Sequence, residues 1–118
     1  MTTQQIAENV SELLRQGNFE AVYDNYFEAQ QVQHIEPQSP FFPNLTGVDS
    51  IKAKDAQMQA NIASVESLEV GTPIIAKSHF ALPYKVKIQM KDGQVMALDE
   101  IIVYEIKDGK IILEQFFY

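Results

Sequence analysis

The chain contains no cysteine, which excludes several kinds of structure and chemistry at once. Disulfide bonds, cysteine nucleophiles and cysteine-ligated metal sites all require that side chain. No apolar run approaches the ~20 residues with which a helix spans a bilayer. The N-terminal sequence MTTQQIAENV also lacks the basic segment and apolar run of a secretory signal. We therefore expect a cytoplasmic protein.

Positive charge is scarce, with 9 Lys and Arg against 16 Asp and Glu and a net charge of −7. Nucleic acids and anionic membrane surfaces are bound by clustered positive charge, so neither is an expected partner. No Gly-rich phosphate loop is present, and we expect no organic cofactor. A small neutral molecule or another protein is the expected kind of partner.

The apolar pattern of the first half predicts three helices. The first covers residues 3–16, with Thr2 or Thr3 as its N-cap and Gly17 as the residue that ends it. The second follows Asn18, a good N-cap residue, and the third covers about 49–62. The positions expected to face the core recur at helical spacing: Ile6, Val10, Leu13 and Leu14; Phe19, Val22, Tyr23, Tyr26 and Phe27; Ile51, Lys54, Met58 and Ile62.

The second half alternates apolar and polar residues with period two, which predicts strands. An early strand at about 65–76 precedes three long ones at 79–90, 95–106 and 110–118. Two KDG sequences join the long strands, and their Asp-Gly pairs are strong hairpin signals. These strands therefore predict a four-stranded antiparallel meander.

A short strand, VQHIEP at 32–37, lies among the helices. The stretch 37–47 contains three prolines and predicts a loop, in which Phe41 and Phe42 either form a lid or pack over the core. Helices segregated from strands indicate an α+β domain. We expect a single domain over 1–118, with three N-terminal helices packed on a strongly curved antiparallel sheet that encloses a pocket.

The alternation also separates an inner sheet face from an outer one. In 79–90 the even positions are apolar, whereas the odd positions include His79 and two lysines, so the even face is the inner one. In the last strand a bulge at Gly109 would place the following residues inward: Ile112, Glu114, Phe116 and Tyr118. A two-residue Asp-Gly turn would reverse that phase.

Four charged residues fall at inward positions: Glu36, Lys54, Glu100 and Glu114. A buried carboxylate must pair, stay hydrated or bind a proton, because burying it unpaired is costly. One interpretation is an ion pair between Lys54 and a glutamate at the rim of an ordinary core. The other is a functional site inside a pocket.

The segment PYKVKIQMKDGQVMALDEIIVYEIKDGKI closely resembles the sheet of ketosteroid isomerases, and GNFEAVYDNYFEAQQVQHIEP resembles their helix–strand pattern. The resemblance covers nearly the whole chain and extends to the nuclear-transport-factor-2-like (NTF2-like) superfamily, which includes SnoaL-like polyketide cyclases. The ending GKI…EQFFY is similar to uncharacterised SnoaL-like proteins. The resemblance implies a cystatin-like, NTF2-like cone. It implies no single activity, because this fold hosts enzymes, transport factors and scaffolds.

The resemblance implies a role for Glu36. In the isomerases an acid directly before a proline, at the end of the first strand, carries the proton, and Glu36 precedes Pro37 here. The resemblance thus implies a general base whose pKa is raised by apolar neighbours. His34 shares its face and either relays the proton or is a structural histidine.

The oxyanion hole of the isomerases does not carry over. Their helix-1 tyrosine matches Val10, and their neutral aspartic acid on the sheet matches Ile102. Tyr104, Tyr118, or Glu100 or Glu114 in its protonated form, would have to substitute. A metal site built from His34, Glu36, Glu100 and Glu114 has suitable ligand types. No spacing motif supports it, and we expect no metal.

Two hypotheses follow from these residues. In the first, the protein is an isomerase, cyclase or lyase acting on a small carbonyl compound. In the second, it is a non-catalytic small-ligand-binding or dimerisation module, whose pocket holds a small apolar ligand or only water. The outer face, with Ile101, Val103 and Phe117, predicts a homodimer under either hypothesis. The candidate catalytic residues are Glu36, His34, Tyr104 and Glu114, and the candidate ligand-binding residues are Lys54, Met58, Tyr84, Glu100, Ile102, Phe116 and Tyr118.

Overall fold

The computed structural model describes residues 1–39 and 43–118, so the predicted roles of Phe41 and Phe42 lie outside the described residues. The described part is an α+β arrangement of helices on a large mixed sheet. Its elements follow one another as α1 (Thr3–Arg15), α2 (Phe19–Tyr26), β1 (Gln33–Ile35), β2 (Asn44–Thr46), α3 (Val48–Ala60), β3 (Ile62–Val70), β4 (Ile74–Ile75), β5 (His79–Met90), β6 (Val95–Lys107) and β7 (Lys110–Phe117).

The first two helices begin where capping residues predict. The Thr2 side chain accepts a hydrogen bond from the Gln5 backbone N–H, and the Gln5 side chain accepts one from the Thr2 backbone N–H, which is a capping box. The Asn18 side chain caps α2 in the same way by accepting from the Ala21 N–H. α3 ends at Ala60, short of the predicted Ile62, because Ile62 already pairs with Met90 in the sheet.

The strands form one seven-stranded sheet in the order β2-β1-β7-β6-β5-β3, with the short β4 also paired to β5. β3, β5, β6 and β7 form the predicted antiparallel meander. β1 runs parallel to β7, however, so the sheet is mixed rather than antiparallel throughout. β2 was expected to be loop. Its three residues pair with β1 but are too short to show period two.

The strand predicted at 65–76 is two strands with a break at Gly71. β3 starts earlier, at Ile62, and ends at Val70, and β4 resumes at Ile74. A Cβ at Gly71 would lie 2.8 Å from the Pro83 Cγ, so glycine allows the close approach of the two chains here.

The inner faces of β5 and β6 are those predicted by the alternation. All even positions of β5 from Phe80 to Ile88 are buried, and Glu100, Ile102 and Tyr104 are buried on β6. Met96, near the start of β6, is the exception on this face at 39% exposed. The inner face lies against α1 and α2, whose buried residues complete the core.

The turn before β7 differs from the prediction. Asp108 and Gly109 both have positive φ, 52° and 77°, and Lys107 pairs directly with Lys110. Positive φ at two successive residues is the mark of the two-residue hairpin turn that Asp-Gly favours. The expected bulge at Gly109 is therefore wrong.

A bulge in β7 itself restores the inward phase of its second half. Ile106 pairs with Ile111 and Tyr104 pairs with Glu114, which leaves one extra residue at Ile112. Ile111 rather than Ile112 is fully buried, so the prediction for Ile112 is wrong. Glu114 keeps its predicted inward position because the extra residue shifts the phase by one. No helix of the described residues is long and apolar enough to cross a membrane.

Candidate functional site

A cavity of about 450 Å³ lies between the helices and the concave inner face of the sheet. This volume is within the range of typical small-molecule sites. Its apolar wall includes Leu14, Phe19, Val22, Met58, Ile62, Leu68, Val86, Leu98, Ile102 and Phe116, and its polar wall includes Tyr23, His34, Glu36, Lys54, Asp55, Tyr84, Glu100, Tyr104 and Glu114. The polar groups come from helices and strands far apart in sequence.

The pairing of β1 with β7 brings His34 and Glu114 together. The two residues are partners in the parallel register, so their side chains leave the same face of neighbouring strands. The His34 Nδ1–H donates to Glu114 Oε1 at 2.7 Å, and both residues are less than 5% exposed. Glu114 therefore acts as a hydrogen-bond acceptor that fixes the orientation of the imidazole ring.

The other ring nitrogen of His34 faces two competing groups. Nε2 lies 3.1 Å from the Lys54 Nζ and 3.3 Å from Glu36 Oε2, and the Lys54 Nζ is itself 3.3 Å from Glu36 Oε2. An ammonium group only donates, so the lysine contact suits a neutral His34, whereas the glutamate contact suits an imidazolium. Nε2 can thus exchange a proton within a compact charged cluster.

The pKa values of His34 and Glu36 move in opposite directions. Burial disfavours the imidazolium, but hydrogen bonds to Glu114 and Glu36 outweigh burial and raise the pKa of His34 to about 8. Burial would likewise raise the pKa of Glu36, but the hydrogen bond to His34 and the Lys54 charge lower it. The expectation of a raised pKa at Glu36 is wrong, because its nearest neighbours are charged or hydrogen-bonding groups rather than apolar ones.

Phe116 and Tyr118 lie around this cluster. The Phe116 ring packs against the His34 ring, with centroids 4.9 Å apart. The Lys54 Nζ lies over the face of the Phe116 ring, 5.6 Å from its centroid. The Tyr118 hydroxyl donates to Glu36 Oε1 at 3.1 Å. Glu36 thus has partners at both carboxylate oxygens. Burial, followed by the charge of Glu36 and the hydrogen bond to it, raises the pKa of Tyr118 to about 12.

Glu100 stands apart from this network. Its side chain is 5% exposed and lines the cavity, yet no residue in the described part of the chain forms a hydrogen bond or ion pair with its carboxyl. Burial, followed by the charge of Glu36, raises the pKa of Glu100 to about 7. Glu100 therefore changes its charge near neutral pH.

The predicted cavity residues are brought together, except Tyr118, which is 45% exposed and does not line the cavity. Met58, Tyr84, Ile102 and Tyr104 all line the cavity, and Tyr104 stacks on Phe80 with ring centroids 4.7 Å apart. Burial raises the pKa values of Tyr84 and Tyr104 well above the usual range of tyrosine, so both hydroxyls stay protonated. His79 lies on the outer face, as predicted, and is paired with Glu105.

The sequence interpretation missed one polar pair of the cavity wall. The Tyr23 hydroxyl donates to Asp55, and burial raises the pKa of both groups. The periodicity of α2 correctly placed Tyr23 toward the core, but nothing local indicated that Asp55 would face it from α3. Within residues 1–39 and 43–118, no group of three or more His, Asp or Glu is arranged to hold a metal ion.

The whole sequence is similar to one known protein family. The sequence profile described as the SnoaL-like domain matches residues 1–118. The chain belongs to the SnoaL-like family. No curated protein matches this member of the family.

Several solved structures have the same fold as this SnoaL-like protein. A protein from Mesorhizobium loti, provisionally assigned as a SnoaL-like polyketide cyclase, is 29% identical over the full length of both chains, with a TM-score of 0.91. A cystatin-like protein of unknown function from Xanthomonas campestris is 17% identical, with a TM-score of 0.82 over 99% of this chain and 90% of its own.

A third solved structure contains a bound molecule. It is a Catenulispora acidiphila protein with a ketosteroid isomerase-like fold, in complex with trimethylamine. It is 17% identical, with a TM-score of 0.74 over 99% of this chain and 87% of its own. These likenesses confirm the NTF2-like, cystatin-like fold expected from the sequence.

Proposed function

We propose that the cavity binds a small, largely apolar molecule that carries a carbonyl group, and that the protein transfers a proton at the carbon next to that carbonyl. An isomerase, cyclase or lyase performs this step. The observation that carries the proposal is the chain of hydrogen bonds Glu36–His34–Glu114, which begins at the cavity wall and ends at a buried carboxylate.

In this proposal Glu36 is the group that touches the ligand. Its side chain is 14% exposed, whereas that of His34 is 1% exposed and lies behind it. A carboxylate with a lowered pKa holds a proton weakly. Passing the proton to a neutral His34, whose pKa is about 8, makes its removal from carbon more favourable. Glu114 holds the ring in the orientation that this transfer needs.

The enolate formed by that step needs a hydrogen-bond donor. Glu114 accepts from His34 and the Tyr118 hydroxyl donates to Glu36, so we propose the Tyr104 hydroxyl as the donor. The Tyr104 residue lines the cavity and, in the described structure, has no hydrogen-bond partner. Lys54, 3.3 Å from Glu36, balances the charge of the cluster. A donor of this kind typically contributes ~100- to 1000-fold in rate.

Proton exchange in heavy water tests the proposal. We expect the protein to exchange the protons next to the carbonyl of at least one ketone or enone in a panel that includes a steroid enone, followed by NMR. Glu36→Gln should slow this exchange by ~100-fold or more, because amides are not bases at neutral pH. In the wild type, the rate should rise with pH around 8, as His34 loses its proton.

The control is Glu69→Gln, the same chemical change at an exposed position of β3. It should leave the exchange rate unchanged. If Glu36→Gln retains the wild-type rate on a ketone that the protein exchanges, Glu36 is not the base.

A second candidate function is ligand binding without chemistry. It is favoured by the two hydrogen bonds and the Lys54 ion pair already present at the Glu36 carboxyl, and by the lowered pKa of that carboxyl, because both weaken a base. The Catenulispora acidiphila protein, which has the same fold, is in complex with trimethylamine, and this also supports ligand binding. Native mass spectrometry of the purified protein would favour this function if a ligand copurifies and is released chemically unchanged.

We also propose that the outer sheet face forms a homodimer. Ile101 and Phe117 are partners across β6 and β7 and are 50% and 47% exposed, with Val103 beside them on β6. An exposed apolar patch of this kind favours association. We expect sedimentation velocity at micromolar concentration to give a dimer, and Ile101→Lys to give a folded monomer. A wild-type monomer under these conditions would contradict the proposal.

A further inference from the structure

The charges that line the cavity are paired one by one, with a single exception. Lys54 faces Glu36 at 3.3 Å, and the His34 Nδ1 faces Glu114 at 2.7 Å. The Asp55 carboxyl accepts from the Tyr23 hydroxyl. In the described part of the chain, Glu100 alone among these four acids has no hydrogen bond or ion pair, although it is 5% exposed. The cavity therefore has one acid more than its partners satisfy.

An isolated carboxylate in such a place is costly, so a cation brought by a ligand would be strongly favoured. The position of Glu100 suits an organic cation better than a hydrated inorganic ion. Tyr84 is its direct partner across β5 and β6 and lines the cavity beside it. Phe116 also lines the cavity and pairs with Ile102, the next inward residue of β6. Aromatic faces next to a carboxylate form the usual recognition site of alkylammonium groups.

We infer that Glu100 and Tyr84 form a subsite for a small alkylammonium group, so the ligand of this cavity carries an organic cation. A cationic ligand differs from the uncharged ligand that the overall composition suggested. Composition gives the number of acidic residues but does not show that four of them line one cavity. The inference rests on the proposal that the cavity receives a ligand. It does not depend on proton transfer at Glu36.

Binding of a permanent cation should be linked to the ionisation of Glu100. Three charged groups shift the pKa of Glu100: His34 and Glu36, in and just after β1, and Lys54 on α3. Glu100 in turn raises the pKa of three tyrosines: Tyr84 on β5, Tyr104 on β6 and Tyr118 after β7. Between pH 5.5 and 7.5 the pKa of Glu36 lies below the range and those of the tyrosines lie above it. The pKa of His34, at about 8, keeps that ring largely charged. Of these groups, Glu100 is the one expected to change its charge most across this range.

Calorimetric titration of the full chain with choline tests the subsite. Choline carries a quaternary ammonium that does not titrate, and its neutral isostere, in which carbon replaces the charged nitrogen, is the matched comparison. We expect choline to bind about tenfold or more tightly than the isostere at pH 7.5. Its affinity should fall by about tenfold per pH unit below 7, because binding must then displace one proton from Glu100.

Variants locate the effect. Glu100→Gln keeps the shape and removes the charge, so it should abolish both the preference for choline and its pH dependence. Glu69→Gln, at an exposed position, should change neither. Glu36→Gln should still bind choline even though ketone exchange is lost, which separates this inference from the proposed catalysis. The pH dependence of the wild type needs no variant and holds even if Glu100→Gln does not fold.

Three results would overturn the inference: equal affinity for choline and its isostere, pH-independent binding in the wild type, or the absence of choline binding. If ketone exchange persists in the last case, the proposed function stands without the cation subsite. If exchange is absent while choline binds as described, the cation subsite stands and the carbonyl chemistry does not.

Discussion

Replacing His34 with leucine is expected to destabilise the protein by about 3–5 kcal/mol at pH 7. The substitution leaves the carboxylate of Glu114, which is 4% exposed, without its donor, and it brings an apolar side chain next to the Lys54 ammonium. Breaking a buried charged pair by removing one partner costs about this much, because the remaining charge is left uncompensated. Chemical denaturation followed by circular dichroism would measure the loss.

The outer face offers a matched control for this substitution. His79 also contacts a glutamate, Glu105, at 3.5 Å, but its side chain is 48% exposed. His79→Leu should change the free energy of unfolding by less than ~1 kcal/mol, because exposed ion pairs contribute little. If His34→Leu costs no more than His79→Leu, the buried network does not stabilise the fold.

A double-mutant cycle separates the pair from the cavity left behind. Glu114→Leu alone should also be strongly destabilising, since it leaves His34 buried without its acceptor. Removing both charged groups together, in His34→Leu/Glu114→Leu, should cost much less than the sum of the two single changes. Additive effects would mean that the two side chains contribute through packing alone.

The fold was largely accessible from the sequence because its signals are local. Helix starts depend on a capping residue and a few neighbours, and the inner face of β5 and β6 follows from alternation within each strand. For the same reason Glu100 and Tyr104 could be assigned to the cavity without knowledge of the pairing. The resemblance to ketosteroid isomerases added the conical shape, which no single segment encodes.

The parts that sequence reasoning did not predict depend on contacts between distant segments. The parallel register of β1 on β7 unites His34 with Glu114, which are 80 positions apart. The bulge at Ile112 depends on how β7 follows β6 after a two-residue turn. The lowered pKa of Glu36 follows from the same non-local contacts, because His34 and Lys54 reach it only in the folded chain.

The unpaired Glu100 carboxyl should also make the free energy of unfolding depend on pH. The pKa of Glu100 rises from its ordinary value of 4.5 in the unfolded chain to about 7 in the folded protein. Below pH 4.5 both states are protonated, and Glu100 imposes no penalty for ionisation. As the pH rises from 4.5 to 7, the unfolded state releases this proton first, so the folded state loses stability relative to it.

Glu100→Gln should therefore be more stable than the wild type at high pH but not at low pH. The difference should grow between pH 4.5 and 7 and reach a plateau above 7, on the order of 3 kcal/mol, since one pKa unit corresponds to about 1.4 kcal/mol. Chemical denaturation across this range measures it, with Glu69→Gln as the exposed control whose difference stays small throughout. A pH-independent difference for Glu100→Gln would mean that the carboxyl titrates normally in the folded protein. A growing difference would mean that the ionised Glu100 destabilises the protein in the absence of a ligand. Such a loss of stability is expected of a residue that serves to bind a ligand.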